Sequence, residues 1–296
     1  MESQNTSSDG SGEGQTNTLP DAPRSYIPII LISYLAMWRV LSWFLHGRAI
    51  IVLAPLLALC SMALTLWFAT LVGVKGSHNR SIAIKFMLYS ILGAIWVALS
   101  RIGFLPVIAA ESFLPGVTNL LLIWFAASIG GALSYLLSDV NLILPVSIAL
   151  AFVDIWTVLL GGPVQKALQS PSPVAHAVRH TLLVKTAPQL PIFQQLPSIG
   201  FADYLFIAFF VAAICRFSPN QRTYSLTVKA LIITLCAYMG FTIFFNVNLP
   251  ALVPMAVVMI GLHWKSFRYS RSEAFAMLYA VIMVLLIILA FRAFHI

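Results

Sequence analysis

Two aspartates stand where acidic side chains are costly, inside long apolar stretches of the chain. Asp154 lies in ILPVSIALAFVDIWTVLL, and Asp203 lies in IGFADYLFIAFFVAAI. A carboxylate at the centre of a membrane helix costs about 2.5–3.5 kcal/mol on insertion scales, so an acid there usually has a function. The other three acids beyond residue 25, which are Glu111, Asp139 and Glu273, fall in predicted loops or at span ends. Asp154 and Asp203 are therefore the candidate functional carboxylates.

The positions of the two aspartates predict that they face each other. Asp154 lies about six residues before the end of its apolar stretch, and Asp203 lies about four residues after the start of the next one. At 1.5 Å per residue these depths are roughly 9 Å and 6 Å. The two stretches are consecutive, so as helices they run antiparallel, with the connection 161–198 at one end. We therefore expect both carboxylates on that side of the membrane at similar depth.

A facing pair of carboxylates in a low-dielectric site shares one proton and titrates as a unit. An aspartic protease uses such a pair: one carboxylate takes a proton from water, and the other donates a proton to the scissile carbonyl oxygen. A transporter could use the same pair to carry protons. Alternatively, each acid could pair with a base, for which Arg39 and Lys85 are the candidates within predicted spans. The carboxylates alone leave all three interpretations open.

The composition predicts that membrane helices position these residues. Of the 296 residues, 60% are apolar and 9% are charged, and the mean hydropathy is +0.94. Soluble domains are about 45–50% apolar and about 25% charged. The apolar residues also cluster in runs of roughly 17–25, the length that crosses a hydrocarbon core of about 30 Å. We predict an all-α, polytopic transmembrane helical bundle, and hence an integral, multi-pass membrane protein.

We predict about nine spans, and they divide the chain into four parts. Residues 1–25 form a polar tail that is too poor in apolar residues to fold. The N-terminal membrane helices occupy 26–138, the part with both aspartates occupies 139–264, and a final helix lies within 265–296. The connection 161–198 contains six prolines, which predict a long loop or a partly ordered lid. The predicted spans are about 26–45, 49–74, 82–100, 116–138, 141–160, 199–216, 226–245, 250–264 and 273–292.

The net charge of +8 does not indicate nucleic-acid binding, because the basic residues stand singly in short loops between apolar runs. Basic residues in such loops set the orientation of a membrane protein. With nine spans and the amino terminus inside, ten Lys and Arg residues lie inside and six lie outside. The excess favours a cytoplasmic amino terminus, with the aspartates near the outer face of the membrane. That membrane would be the plasma or inner membrane in a prokaryote.

We expect several glycines to serve helix packing and two histidines in the connection 161–198 to bind no metal. Gly130 and Gly131 in ASIGGALSY, and Gly240 in YMGF, predict close packing between helices. His176 and His180 have the i, i+4 spacing of a zinc-protease helix, but that motif requires a glutamate directly after the first histidine. Alanine occupies that position here. We expect no metal site.

Three segments, taken in order, resemble the presenilin and signal peptide peptidase family of intramembrane aspartyl proteases. That family carries Tyr-Asp, Gly-x-Gly-Asp and Pro-Ala-Leu motifs on successive helices. This chain has Val153-Asp154 followed by IWTVLLGGP, then Gly200-Phe201-Ala202-Asp203 followed by YLF, and then Leu249-Pro250-Ala251-Leu252. The resemblance covers roughly residues 141–264. The resemblance rests on the order and spacing of the three motifs, on their positions within the predicted spans, and on the membrane side that they share.

The chain departs from the family's pattern at three points. Val153 replaces the motif tyrosine and removes a hydrogen-bonding group beside the first aspartate. Ala202 replaces a glycine, so a methyl group occupies a position where backbone or substrate approaches closely. The aspartates fall on the fifth and sixth predicted spans, where the family has them on the sixth and seventh, and one span follows the Pro-Ala-Leu helix.

The resemblance implies an intramembrane aspartic endopeptidase that cleaves transmembrane helices of single-span proteins or signal peptides through Asp154, Asp203 and an activated water. It implies a lipid bilayer and transmembrane-helix substrates as partners, with no metal and no organic cofactor. A substrate helix must unwind locally before water reaches its carbonyls, and an unwound stretch can bind as an added β-strand. The alternatives are a proton-coupled transporter and a non-catalytic relative that binds membrane helices. The residues expected to contact substrate are Gly200, Ala202, Leu249, Pro250, Ala251 and Leu252, with Asn246 and Asn248 just before them.

Overall fold

The computed structural model describes mainly the apolar, helical stretches of the chain. The described ranges are 30–36, 50–101, 114–159, 183–185, 198–217, 221–245 and 250–269, with single positions at 271, 275, 279, 282, 283, 286 and 289. The polar tail, most of the connection 161–198, and Arg39, Asn246, Asn248 and Leu249 lie outside the described residues.

The described residues are almost entirely helical. A helical stretch at 30–36 precedes seven further helices, and a two-stranded antiparallel sheet lies between the fourth and the fifth of them. The helices are α1 Ile50–His78, α2 Arg80–Arg101, α3 Leu114–Leu133, α4 Ile143–Leu159, α5 Phe201–Phe217, α6 Gln221–Phe245 and α7 Leu252–His263. The strands are β1 Leu183–Lys185 and β2 Ser198–Gly200, and the 3-10 turns are Ser134–Leu136, Val140–Leu142 and Trp264–Ser266.

The predicted helical class is confirmed, and α1 to α7 coincide with the second to the eighth predicted spans. Within the described ranges, four helical stretches are long and apolar enough to cross a membrane, which suggests a membrane protein. A shorter apolar helix lies at Leu252–Ser266. The total of nine spans stays a prediction. The four stretches are Ala58–His78, Gly116–Leu136, Val140–Val158 and Arg222–Thr242.

Helix α5, which carries Asp203, lies at the centre of the bundle. Every residue from Ile207 to Cys215 is buried, with at most 6% of its surface exposed. A helix that is apolar on all sides is stable only when other helices surround it. Helices α1, α3 and α6 provide that surrounding, and α2 packs on the outside against α1 and α3.

Glycines let α1 and α3 approach α5 at backbone distance. A methyl group on Gly130 would lie 2.1 Å from the carbonyl oxygen of Leu205. One on Gly73 would lie 2.7 Å from the carbonyl oxygen of Ala208. The close packing predicted for Gly130 is therefore confirmed, whereas the same prediction for Gly240 is wrong, because a methyl group there would meet its nearest atom at an ordinary 3.9 Å.

Helix α4, which carries Asp154, packs mainly against α7. Only 17% of the stretch Val140–Val158 is buried among the described residues, compared with 67% of Ala58–His78. Asn141, just before α4, binds the segment after α7. Its side chain accepts a hydrogen bond from the Arg268 amide at 3.0 Å and donates one to the Arg268 carbonyl at 3.1 Å. Helices α4 and α7 thus form a pair at the side of the bundle.

The carboxyl ends of α1, α3 and α5 meet at the end of the bundle opposite the aspartates. Arg216 donates a hydrogen bond to the Ser134 carbonyl and lies over the Tyr135 ring, 4.6 Å from its centre. The Tyr135 hydroxyl donates to the carbonyls of Gly76 and Ser77 at 3.1 and 2.9 Å. A cation among carbonyls at helix ends is favourable, because the last four carbonyls of a helix lack intrahelical partners.

Candidate active site

Asp203 lies in the first turn of α5, directly after strand β2. Its Oδ2 accepts a hydrogen bond from the Gly200 amide at 3.0 Å. An acid at the third helical position that binds the amide just before the helix is one half of a capping box. The short segment Gly-Phe-Ala-Asp therefore fixes the carboxylate at the start of the helix by local geometry. Negative charge is also favoured at that end of a helix.

Asp154 lies about five residues before the end of α4 and contacts the start of α7. Its Oδ2 accepts a hydrogen bond from the Leu252 amide at 2.6 Å. Leu252 is the first residue of α7, so its amide is one of the four that lack a partner within the helix. The Asp154 carboxylate therefore joins the α4 helix to the third residue of the Pro-Ala-Leu segment.

The structure brings the two aspartates within electrostatic range of each other. Both side chains are partly buried, and they come from different helices. This agrees with the depths calculated from the sequence, which place both carboxylates on the side of the connection 161–198. Neighbouring carboxylates in a partly buried site disfavour each other's ionised form, and a pair that shares one proton is the state that general acid–base catalysis by two carboxylates requires.

The described part of the Pro-Ala-Leu segment packs beside Asp154. Pro250 is buried, and Ala251 and Leu252 are only 8% and 6% exposed. Leu249 lies outside the described residues. Because the segment is buried next to a carboxylate, its position is set by packing as well as by the hydrogen bond to Asp154.

Gly200 and Ala202 have different surroundings. A methyl group on Gly200 would lie 3.3 Å from Asp203 Oδ2, which is closer than most carbon–oxygen contacts in proteins. Glycine at this position therefore leaves room for the carboxylate. Ala202, which replaces a glycine of the family motif, is exposed, so its methyl group lies outside the packed core.

Lys85, one of the two bases that the sequence offered, does not pair with either aspartate in the described part of the chain. Each carboxylate accepts a hydrogen bond from a backbone amide instead. Lys85 lies in the second turn of α2, which begins at the end of the bundle opposite the aspartates. Arg39 is outside the described residues. Within the described ranges, no group of three or more His, Cys, Asp or Glu side chains could hold a metal ion.

Tyr204 anchors the start of α5 to α1. The Thr65 hydroxyl donates to the Met62 carbonyl at 2.9 Å, so at the second contact, also 2.9 Å, the Tyr204 hydroxyl donates to Thr65 Oγ1. Tyr204 is completely buried. This hydrogen bond joins the first turn of α5, which carries Asp203, to α1.

Tyr238 on α6 is a site residue that the motifs do not reveal. It lies within electrostatic range of both Asp154 and Asp203, and its hydroxyl is buried. Its depth was available from the sequence. About seven residues separate it from the end of α6, roughly 10 Å, which is close to the depth of Asp154. Val153, at the motif's tyrosine position, is 47% exposed and points away from the core.

Comparisons of the chain with protein-family models, with curated proteins and with solved structures find no match. We therefore infer the function from the arrangement of the residues themselves.

Proposed function

We propose that this chain is a multi-pass integral membrane protein and an intramembrane aspartyl protease of the presenilin and signal peptide peptidase type. Asp154 and Asp203 act as its acid–base pair. One observation carries the proposal: the two carboxylates come from separate apolar helices, lie within electrostatic range, and are each held by a backbone amide. The third motif supports it, because Leu252 supplies one of those amides.

The pair would hydrolyse a peptide bond in two proton transfers. Oδ2 of each carboxylate binds a backbone amide, which leaves Oδ1 as the oxygen that would act on water and substrate. One ionised carboxylate takes a proton from water as the water oxygen attacks the scissile carbonyl carbon, and the other donates its proton to the carbonyl oxygen. The tetrahedral carbon then releases the amine as the C–N bond breaks, and a proton from the pair passes to the nitrogen.

The β1–β2 sheet supports an extended binding mode for the substrate. Gly200, the last residue of β2, pairs with Leu183 of β1 and directly precedes the helix of Asp203. A transmembrane helix hides its carbonyls in its own hydrogen bonds, so the cleaved stretch must unwind. An unwound stretch added to this sheet would replace the lost backbone hydrogen bonds and lie beside the carboxylate.

The distribution of basic residues supports an active side that faces away from the cytoplasm. The end of the bundle opposite the aspartates carries most of the described Lys and Arg residues at helix ends, and such residues mark the cytoplasmic side. The aspartate end has Arg101 and Lys185. The residues at the basic end are Lys75, Arg80, Arg216, Arg222, Lys265, Arg268 and Arg271.

The decisive experiment uses the purified chain in liposomes with a panel of single-span helical peptides. Wild type is compared with Asp154→Asn and Asp203→Asn, and the products are identified by mass. Asp139→Asn is the matched control, since Asp139 is an exposed acid in the turn before α4. We expect cuts within the spans that persist in the control and disappear in both site variants.

Other outcomes would select the alternatives. Absence of cuts, together with proton-linked fluxes that both site variants lose, would identify a transporter. Absence of cuts and fluxes, with peptide binding retained, would identify a helix-binding relative without catalysis.

A further inference from the structure

The hydroxyl of Tyr238 is buried and has no hydrogen-bond partner among the described residues. A buried hydroxyl without a partner costs about 1–3 kcal/mol, and buried polar groups in native proteins are normally satisfied by protein, water or ligand. This phenol therefore indicates a missing hydrogen-bond acceptor. The Trp124 indole nitrogen is also buried and has no partner in the described ranges, but its ring packs edge-on against Phe68 and Phe86 inside the apolar bundle.

The surroundings of Tyr238 point to where that acceptor binds. The residue lies within electrostatic range of both catalytic aspartates, yet its hydroxyl is bonded to neither. Their Oδ2 atoms bind the amides of Gly200 and Leu252 instead. Leu235 and Met239, on the same helix, are buried in the core, so α6 is held firmly at this level.

We propose that the Tyr238 hydroxyl donates a hydrogen bond to the scissile carbonyl oxygen of the substrate and to the oxygen of the tetrahedral intermediate formed from it. This inference rests on the proposed function. The phenol is neutral, and toward a carbonyl oxygen, which has no proton to donate, it can only act as the hydrogen-bond donor. Its hydrogen bond would therefore add to the proton that one aspartate donates to the same oxygen. A fixed donor aimed at this oxygen stabilises the transition state more than the substrate, and loss of one such donor typically lowers kcat by about 10²–10³.

The test replaces Tyr238 by phenylalanine and compares it with Tyr224→Phe. Tyr224 lies on the same helix, about 14 residues or roughly 21 Å away along its axis. We expect Tyr238→Phe to lower kcat about 10²–10³-fold with KM changed less than about threefold, and Tyr224→Phe to leave both unchanged. The unfolding temperature in detergent should be unchanged or slightly higher for Tyr238→Phe, because the hydroxyl that is removed has no hydrogen-bond partner among the described residues.

A binding measurement gives a second readout. A peptide whose scissile amide is replaced by a hydroxyethylene group presents an oxygen where the intermediate has one. We expect Tyr238→Phe to weaken its binding about tenfold, or about 1.4 kcal/mol. The same peptide with a methylene in place of the hydroxyl-bearing carbon should bind wild type and variant equally.

The outcomes separate this inference from the proposed function. Normal cleavage and normal isostere binding by Tyr238→Phe would overturn the inference and leave the protease intact. A variant that unfolds earlier, with activity reduced only in proportion to the folded protein, would assign Tyr238 a structural role. If wild type neither cleaves the peptides nor binds the isostere, the proposed function fails, and this inference fails with it.

Discussion

The amide of Leu252 donates a hydrogen bond to Oδ2 of Asp154 at 2.6 Å, although 98 residues separate them in the chain. The contact gives the Pro-Ala-Leu segment a physical role. A helix begins at Leu252, the amide there has no partner within the helix, and the carboxylate of another helix accepts its hydrogen bond. A charged acceptor at this end also meets the favourable end of the helix dipole.

This contact predicts different effects for two substitutions of Asp154. Asp154→Asn keeps an oxygen that can accept from the Leu252 amide, whereas Asp154→Leu leaves that amide unpaired. We expect both variants to be inactive, and only Asp154→Leu to lose about 1–3 kcal/mol of unfolding free energy. Thermal unfolding in detergent measures the difference. Equal unfolding temperatures for the two variants would mean that the hydrogen bond contributes nothing to stability.

Gly200 should be required for activity more than for folding. A methyl group there would meet Asp203 Oδ2 at 3.3 Å, so Gly200→Ala should displace the carboxylate by a few tenths of an ångström. We expect kcat to fall by about tenfold or more, because small misplacements of reacting groups are costly. Gly261→Ala is the control, since a methyl group at Gly261 meets no atom within 4 Å. The prediction is wrong if the two variants have the same kcat.

The glycine contact between α3 and α5 should be a determinant of stability. A methyl group on Gly130 would lie 2.1 Å from the Leu205 carbonyl oxygen and 2.9 Å from the Phe209 amide nitrogen, and backbone atoms cannot rotate away. We expect Gly130→Ala to destabilise the bundle by about 1–3 kcal/mol or more. Gly240→Ala, at an ordinary contact distance of 3.9 Å, should unfold like wild type. Denaturation in mixed detergent micelles would compare the two.

The helical class and the proximity of the aspartates could be predicted because each follows from positions along the chain. Apolar runs give the spans, and residue counts from the span ends give the depths of Asp154 and Asp203. The partners of the carboxylates could not be predicted in this way. Nothing in the sequence distinguishes the Leu252 amide from other backbone amides. It donates to Asp154 only because α4 packs beside the start of α7.

Tyr238 and Gly73 illustrate the same limit. Their depths are readable from the sequence, but the direction in which a side chain points depends on the rotation of its helix, which packing decides. A tyrosine in an apolar span is usually an interface anchor, and only the bundle reveals a buried hydroxyl near two acids. Similarly, Gly73 becomes important only because Ala208 lies against it.

The proposed protease mechanism predicts the pH dependence of peptide cleavage. Catalysis requires one carboxylate ionised and the other protonated, so the rate should fall at low pH, where both are protonated, and at high pH, where both are ionised. We expect a bell-shaped profile of kcat/KM against pH for peptide cleavage in liposomes, measured with equal pH on both sides of the membrane. The two limbs belong to the pair and not to either residue alone.

Asp139→Asn should leave both limbs in place, since that exposed acid is outside the site. A profile with a single limb would show that only one ionisable group controls the reaction, and it would contradict the two-aspartate mechanism.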